Sequence, residues 1–320
     1  MAGFTPVVAQ QEVMNHLIAA REYLQANNEL RAKIEIDSAL MISPRHAMAN
    51  AMMGDLMNSR GELLKALMSY DKAILANPNE AELYIKRAKL HTKLNNHLSY
   101  VINDYDKAIE LAPANKDYLI KKANYLAHSV GSDSSKPDFS LAAATISQAI
   151  SFNKKDAELY YLRSQYLFGD GQNLAALADI NKAIVYSSAN DKYLAQRGYI
   201  NFMISNYRAA YADYSRALMV NQSKAKYYEF RGHANYNLEK YVDAYEDYSK
   251  AIDLIISDIA TSNSRITNAS PLNKQLRGIL LYRGMSLVQD NRPYDGCDDF
   301  ERAYQMGESK ARNYMRKYCN

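Results

Sequence analysis

The side chains able to do chemistry in this chain are few and scattered. Six histidines, His16, His46, His91, His97, His128 and His233, form no HExxH helix and no paired metal spacing. His91 and His97 stand six apart, a separation that suits solvation or packing rather than shared ligation. The segment GSDSSKP, Gly131–Pro137, looks like a phosphate loop but lacks the Gly-Lys-Ser/Thr ending that would cradle and charge-match a phosphate, and reads as an insertion. Asp295, Asp298, Asp299 and Glu301 offer carboxylates to calcium, yet they straddle the start of a helix without alternating oxygen ligands. The preference of carboxylates for helix N-termini accounts for them. Basic residues form no continuous stripe and the net charge is only +4, so no nucleic-acid partner is expected. The expectation is a non-enzymatic chain with no metal and no cofactor.

The elements that carry these residues announce themselves by repetition. DYDKAIELAP at Asp104–Pro113 has near-copies in SYDKAILANP, DINKAIVYSS, DYSRALMVNQ and DYSKAIDLII. Their alanines, Ala39, Ala73, Ala108, Ala149, Ala183, Ala217, Ala251 and Ala303, are separated by 34, 35, 41, 34, 34, 34 and 52 residues. A 34-residue period is the unit length of a helix-turn-helix repeat, and the longer intervals read as insertions. Each alanine ends a stripe such as Val101, Tyr105, Ala108 or Ala210, Tyr214, Ala217, whose i, i+4, i+7 spacing defines one helical face. A second column, Ala20, Gly54, Ala88, Ala123, Ser164, Gly198, Gly232 and Gly284, marks a preceding helix whose small residues admit close approach. With only 12 Gly and 7 Pro, the composition also favours helices over turn-rich sheets. Pro44, Pro78 and Pro113 stop three of the second helices; Lys154, Ser188 and Gln222 replace them in later units and promise weaker stops. No apolar run reaches the length of a membrane span.

A small residue in helix A, then small, aromatic and Ala in helix B at constant offsets, resembles the tetratricopeptide repeat family. The resemblance covers roughly residues 13–310, with Tyr, Leu, Asn or His where the family carries Trp in helix A. It implies an all-α superhelical solenoid of about eight helix-turn-helix repeats: 13–46, 47–80, 81–115, 116–156, 157–190, 191–224, 225–258 and 277–310. A lead at 1–12, insertions near 129–139 and 259–276, and a capping helix at 309–320 complete the division. In the cap, Tyr314, Met315 and Tyr318 are expected to pack while Arg312, Arg316 and Lys317 stay wet.

The resemblance also implies a concave groove lined by A helices that holds a peptide, a protein segment or a neighbouring subunit. Projection of the face opposite the packing stripe gives a mixed set at the N-terminal end: Arg21, Asp55, Asn58, Lys89, Lys93 and Asn124. In units five to seven it gives Tyr161, Gln165, Phe168, Tyr199, Phe202, Glu229, His233 and Tyr236. Such rings among polar groups are the makings of a protein-binding hot spot, unless curvature buries them against one another. A glycan stacking on the tyrosines is the alternative function. Some family members clamp chaperone C-termini with Lys and Asn one turn apart; Ile120 stands where that Lys would precede Asn124, so the clamp is not expected.

Cys297 and Cys319 flank a turn near Gly307 at similar distances, which brings them level in an antiparallel hairpin. Either they bridge, stapling the cap and implying an oxidising compartment, or they are two buried free thiols. The tail GCDDFERAYQMGESKARNYMRKYC further resembles those of tetratricopeptide proteins from Bacteroidetes-type bacteria, often exported, which favours a periplasmic or otherwise exported location. The start MAGFTPVVAQQ is no intact signal peptide; it reads as a frayed terminus or the remnant of a leader.

Overall fold

A computed structural model describes residues 6–128, 137–261 and 270–319, and every described element is helical. The chain divides into two compact units, Met1–Lys154 and Lys155–Asn320. The first holds four hairpins: α1 (Pro6–Gln25) with α2 (Glu29–Ile42), α3 (Ala47–Ser59) with α4 (Leu63–Ala76), α5 (Ala81–Lys93) with α6 (Leu98–Leu111), and α7 (Lys116–His128) with α8 (Phe139–Phe152). The second pairs α9 (Ala157–Gly169) with α10 (Asn173–Tyr186), α11 (Asp191–Met203) with α12 (Tyr207–Val220), and α13 (Ala225–Asn237) with α14 (Tyr241–Thr261). Its last pair is α15 (Pro271–Gln289) with α16 (Cys297–Gln305), joined through a single 3-10 turn at Pro293–Gly296 and followed by α17 (Ala311–Tyr318). None of the described helices is long and apolar enough to cross a membrane.

In five hairpins the small column of the A helix faces an aromatic ring of the B helix, Tyr70, Tyr105, Tyr214, Tyr248 or Phe300, and in the other three the buried isoleucines Ile36, Ile146 and Ile180 hold that place. Tyr70, Tyr248 and Phe300 are almost wholly buried. A Cβ on Gly54, Gly232 or Gly284 would lie 2.6, 2.8 or 2.7 Å from those rings, so the column has no room for more than it carries. The A-to-B turns share one design. A left-handed residue, among them Asn27, Gly61, Asn95, Gly171, Ser205, Glu239 and Asn291, ends helix A. The next amide then reaches back to the last turn, as from Glu62 to Met57 and from Lys240 to Asn235. The B helices end alike too: the amides of Ser43, Asn77, Ala112, Asn153, Ser187 and Asn221 all donate to the conserved-position alanine carbonyls, Ala39 through Ala217. The stops before Lys154, Ser188 and Gln222 therefore have the same hydrogen bond as those before proline, and are not weaker in geometry.

Helix-to-helix ion pairs add a second periodic feature. Arg87, Arg163, Arg197, Arg231 and Arg283, each one residue before the small column, grip Asp104, Asp179, Asp213, Asp247 and Asp299 at 2.5–2.6 Å. Those aspartates are buried, and Asn201 and Asn235 donate further hydrogen bonds to two of them. Burial raises the Asp247 carboxyl even though Arg231 pulls it down. Asp299 thus sits at the N-terminus of α16 as one half of a buried pair, a role that the dipole argument misses; Asp295 is taken by Arg292.

Two boundaries differ from expectation. Residues 6–12, read from sequence as a lead, are the first turns of α1; residues 1–5, the rest of the terminus whose nature was left open, lie outside the described residues. The insertion expected at 259–276 is helical at both ends, since α14 runs to Thr261 and α15 starts at Pro271 behind a Ser270 cap. The physical reason is apolar: Ile255, Ile259, Leu272 and Leu276 continue the stripe into the core around Tyr248 and Phe300. Residues 262–269 and 129–136, which include most of GSDSSKP, lie outside the described residues. At the C-terminal end Cys297 and Cys319 are joined by a disulfide with Cα atoms 5.7 Å apart. Tyr314 stacks on Phe300 at 5.2 Å and Ala311 is buried, so α17 covers the last apolar surface of the second unit.

Candidate functional site

The A helices of the second unit present an aromatic surface on which rings meet edge to face. Phe168 packs on Tyr199 with centroids 5.5 Å apart, Tyr199 on Phe230 at 5.3 Å, and Phe202 on Phe230 at 5.9 Å. Tyr161 lies 4.9 Å from Tyr193. Between α9, α11 and α13 this surface encloses a cavity of about 410 Å³. Its walls are Tyr161, Gln165 and Tyr199 from the expected set, with Lys192, Ala195, Gln196, Tyr214, Lys226, Tyr227 and Phe230. The Gln165 amide donates to the Tyr161 hydroxyl at 3.1 Å, and the Lys226 ammonium lies over the Phe230 ring at 5.8 Å.

Glu229, His233 and Tyr236 fall in a second cluster one step along. The Gln275 amide donates to Glu229 at 2.6 Å, His233 Nδ1 sits 2.8 Å from the Tyr248 hydroxyl, and the His233 and Tyr282 rings are 4.5 Å apart. Tyr236 packs against Tyr241 and Tyr282. The eight expected residues are all half-buried, so they belong partly to the surface and partly to ring-on-ring packing. Burial pushes the Tyr214 and Tyr248 hydroxyls above the ordinary phenol range and Tyr236 up to about 12. These phenols are proton donors at neutral pH.

The first unit handles its polar face differently. Asp55 accepts from the Tyr70 hydroxyl at 2.6 Å and from Lys86 at 2.7 Å, and Lys93 donates to Asn58 at 2.8 Å. Arg21 and Lys89 point to solvent, and Asn124 offers its carbonyl to the His128 ring at 2.9 Å. The expected N-terminal set is largely self-neutralised. Among the described residues no group of three or more His, Cys, Asp or Glu side chains gathers as a metal site.

The sequence matches no family model, and no curated protein matches it. Solved structures do. The C-terminal part of a TPR repeat-containing protein from Cytophaga hutchinsonii aligns over 82% of this chain and 98% of its own length, with 15% identity and a TM-score of 0.61. This chain has the tetratricopeptide-repeat fold. PilF of Pseudomonas aeruginosa aligns over 70% of this chain and 99% of its own, at 14% identity and a TM-score of 0.50. The APC/C hetero-tetramer Cut9–Hcn1 has a chain matched over 99% of this one but only 56% of its own, at 13% identity and 0.52.

Within the tetratricopeptide repeats, the residues that the sequence projection missed share a register. The projection took positions three before, one after and four after the small column. Lys192, Gln196 and Lys226, Phe230 lie six and two before Gly198 and Gly232. Lys192, Gln196, Tyr199 and Lys226, Phe230, His233 are each an i, i+4, i+7 stripe, which the helical period would have revealed. Tyr214 was assigned to packing alone, although its edge reaches the cavity.

Proposed function

We propose that this chain is a non-catalytic interaction scaffold that holds an extended protein segment against the A helices of its second unit. The observation that carries the reading is the aromatic cavity of that unit, where Gln196, Tyr199 and Tyr214 have no side-chain hydrogen-bond partner among the described residues, whereas Asp55 and Asn58 of the first unit are engaged. Rings held in place by one another lose little entropy when a partner covers them. The fold supports the reading, since a row of helical hairpins offers a preformed surface. Stacking on a sugar is less well served: Tyr199 is held between Phe168 and Phe230, which leaves edges and hydroxyls outward more than open faces. The disulfide supports action in an oxidising, exported setting.

Selection of a displayed random-peptide library on the full chain tests the reading. Gln196→Trp fills the cavity without removing a packed ring or adding a charge, and Tyr199→Ala opens it. Both are expected to lose the selected peptides while keeping a cooperative thermal transition. Peptides that still bind Gln196→Trp, or a glycan array that responds where no peptide does, would move the site or the ligand class elsewhere.

A further inference from the structure

The cavity of the second unit has an electrostatic character that names its ligand, given the reading of that groove as a peptide site. Tyr214 is 2% exposed and lines the cavity, yet among the described residues its hydroxyl has no hydrogen-bond partner. Two of its counterparts are satisfied, Tyr70 by Asp55 and Tyr248 by His233, each one residue after the small column of the facing helix, whereas Tyr105 of the first unit is not. Tyr214 meets Tyr199 at that register, and the Tyr199 hydroxyl is also without a partner. The Tyr214 hydroxyl opens into the cavity, so it and the Tyr199 hydroxyl offer two hydrogen-bond donors to an acceptor from outside the chain. Lys192 and Lys226 flank the same space, and no carboxylate lines it. The acids around it are spoken for: Asp191 accepts from Tyr227 and Asn221, Glu229 from Gln275, and Asp213 from Arg197 and Asn201. Two phenolic donors and two ammonium groups, set among the apolar ring edges of the wall, together suit an anion borne on an apolar stem.

We infer that this cavity seats the carboxylate of one aspartate or glutamate side chain of the bound segment, with the stem of that side chain against the ring edges of the wall. The arrangement shares nothing with a Lys–Asn pair one turn apart on a single helix. Its donors come from the A helices α11 and α13 and from the B helix α12, and burial pushes the Tyr214 hydroxyl above the ordinary phenol range.

The test uses the full chain and peptides recovered from the random library, each synthesised beside a partner in which Asp or Glu is replaced by Asn or Gln. Anisotropy titration is expected to show the acid form binding about tenfold more tightly than the amide form. Tyr214→Phe and the Lys192→Ala, Lys226→Ala double variant should each erase most of that ratio, and neither removes a packed ring. If the amide peptides bind as well as the acid ones, or if the ratio survives in both variants, the carboxylate assignment falls while the groove stands. If no peptide is recovered, or Gln196→Trp leaves binding intact, the groove reading itself falls. Displacement of the peptides by oligogalacturonate in place of any acid preference among them would give the carboxylate to a glycan and overturn the assignment.

Discussion

At the scale of single residues, the small column is the position where side-chain identity is least negotiable. Gly232 faces the Tyr248 ring, which is fully buried, so an added methyl must displace a ring that has nowhere to go. Gly232→Ala is expected to lower stability by about 1–3 kcal/mol, read as a drop in thermal midpoint. Gly278, in the interior of α15, is the internal control, because a Cβ there meets nothing within 4 Å. Gly278→Ala should be neutral or stabilise by about 0.5–1 kcal/mol through the chain entropy that glycine otherwise retains when unfolded. Equal melting of the two variants would mean that the glycine column does not act by close packing. Ser164 and Ala88 fill the same column elsewhere, and opposite Ser164 the B helix carries Ile180 in place of a ring, so the argument is local to each hairpin.

At the scale of the element, the turns and the C-terminal staple set what each hairpin can lose. Glu239 ends α13 with φ of 60°, a conformation that costs a residue with a Cβ about 1–2 kcal/mol. Glu239→Gly should therefore stabilise the hairpin by several tenths of a kcal/mol, after the entropy that glycine adds to the unfolded chain; a lower melting point would show that the Glu239 side chain contributes something its exposure does not suggest. The bridge between Cys297 and Cys319 closes a sequence separation of 22 residues, for which chain entropy gives about 3 kcal/mol. Reduction, or Cys297→Ser with Cys319→Ser, should free α17 first, and the intact mass should rise by two daltons on reduction; a chain whose mass and melting ignore reductant has no such staple. Much of this architecture was legible, because a stripe of Ala and aromatic residues at 34-residue intervals is written within single helices. The Arg–Asp pairs were not read, since their partners lie 16 or 17 residues apart across a turn, and the contact exists only once the hairpin geometry is known. The cavity was half legible for a related reason: the face opposite the packing stripe is wider than one line of residues, and Tyr199 was found while Phe230 on the adjoining line was passed over.

At the scale of the molecule, stability should be distributed rather than shared. Helices of each unit pack on their chain neighbours, α9 on α10 and α13 on α14, with A helices touching the next A helix in turn. An array of that kind gains its stability as a sum of hairpin and nearest-neighbour contributions, so damage spreads only as far as coupling carries it. Leu280 is fully buried in α15 within the core that joins α14 to α17. Leu280→Ala removes side-chain volume there at a cost of about 2–5 kcal/mol. Hydrogen exchange of the variant should quicken in α14 to α17, less in α13, and leave α3 to α6 at wild-type rates, because the opening that exposes those amides never involves Leu280. A two-state globule would instead quicken its slowest amides everywhere by one common factor. Uniform acceleration from α3 to α17 would therefore show that the hairpins act as one cooperative body, and the scaffold could not loosen one end while holding a partner at another.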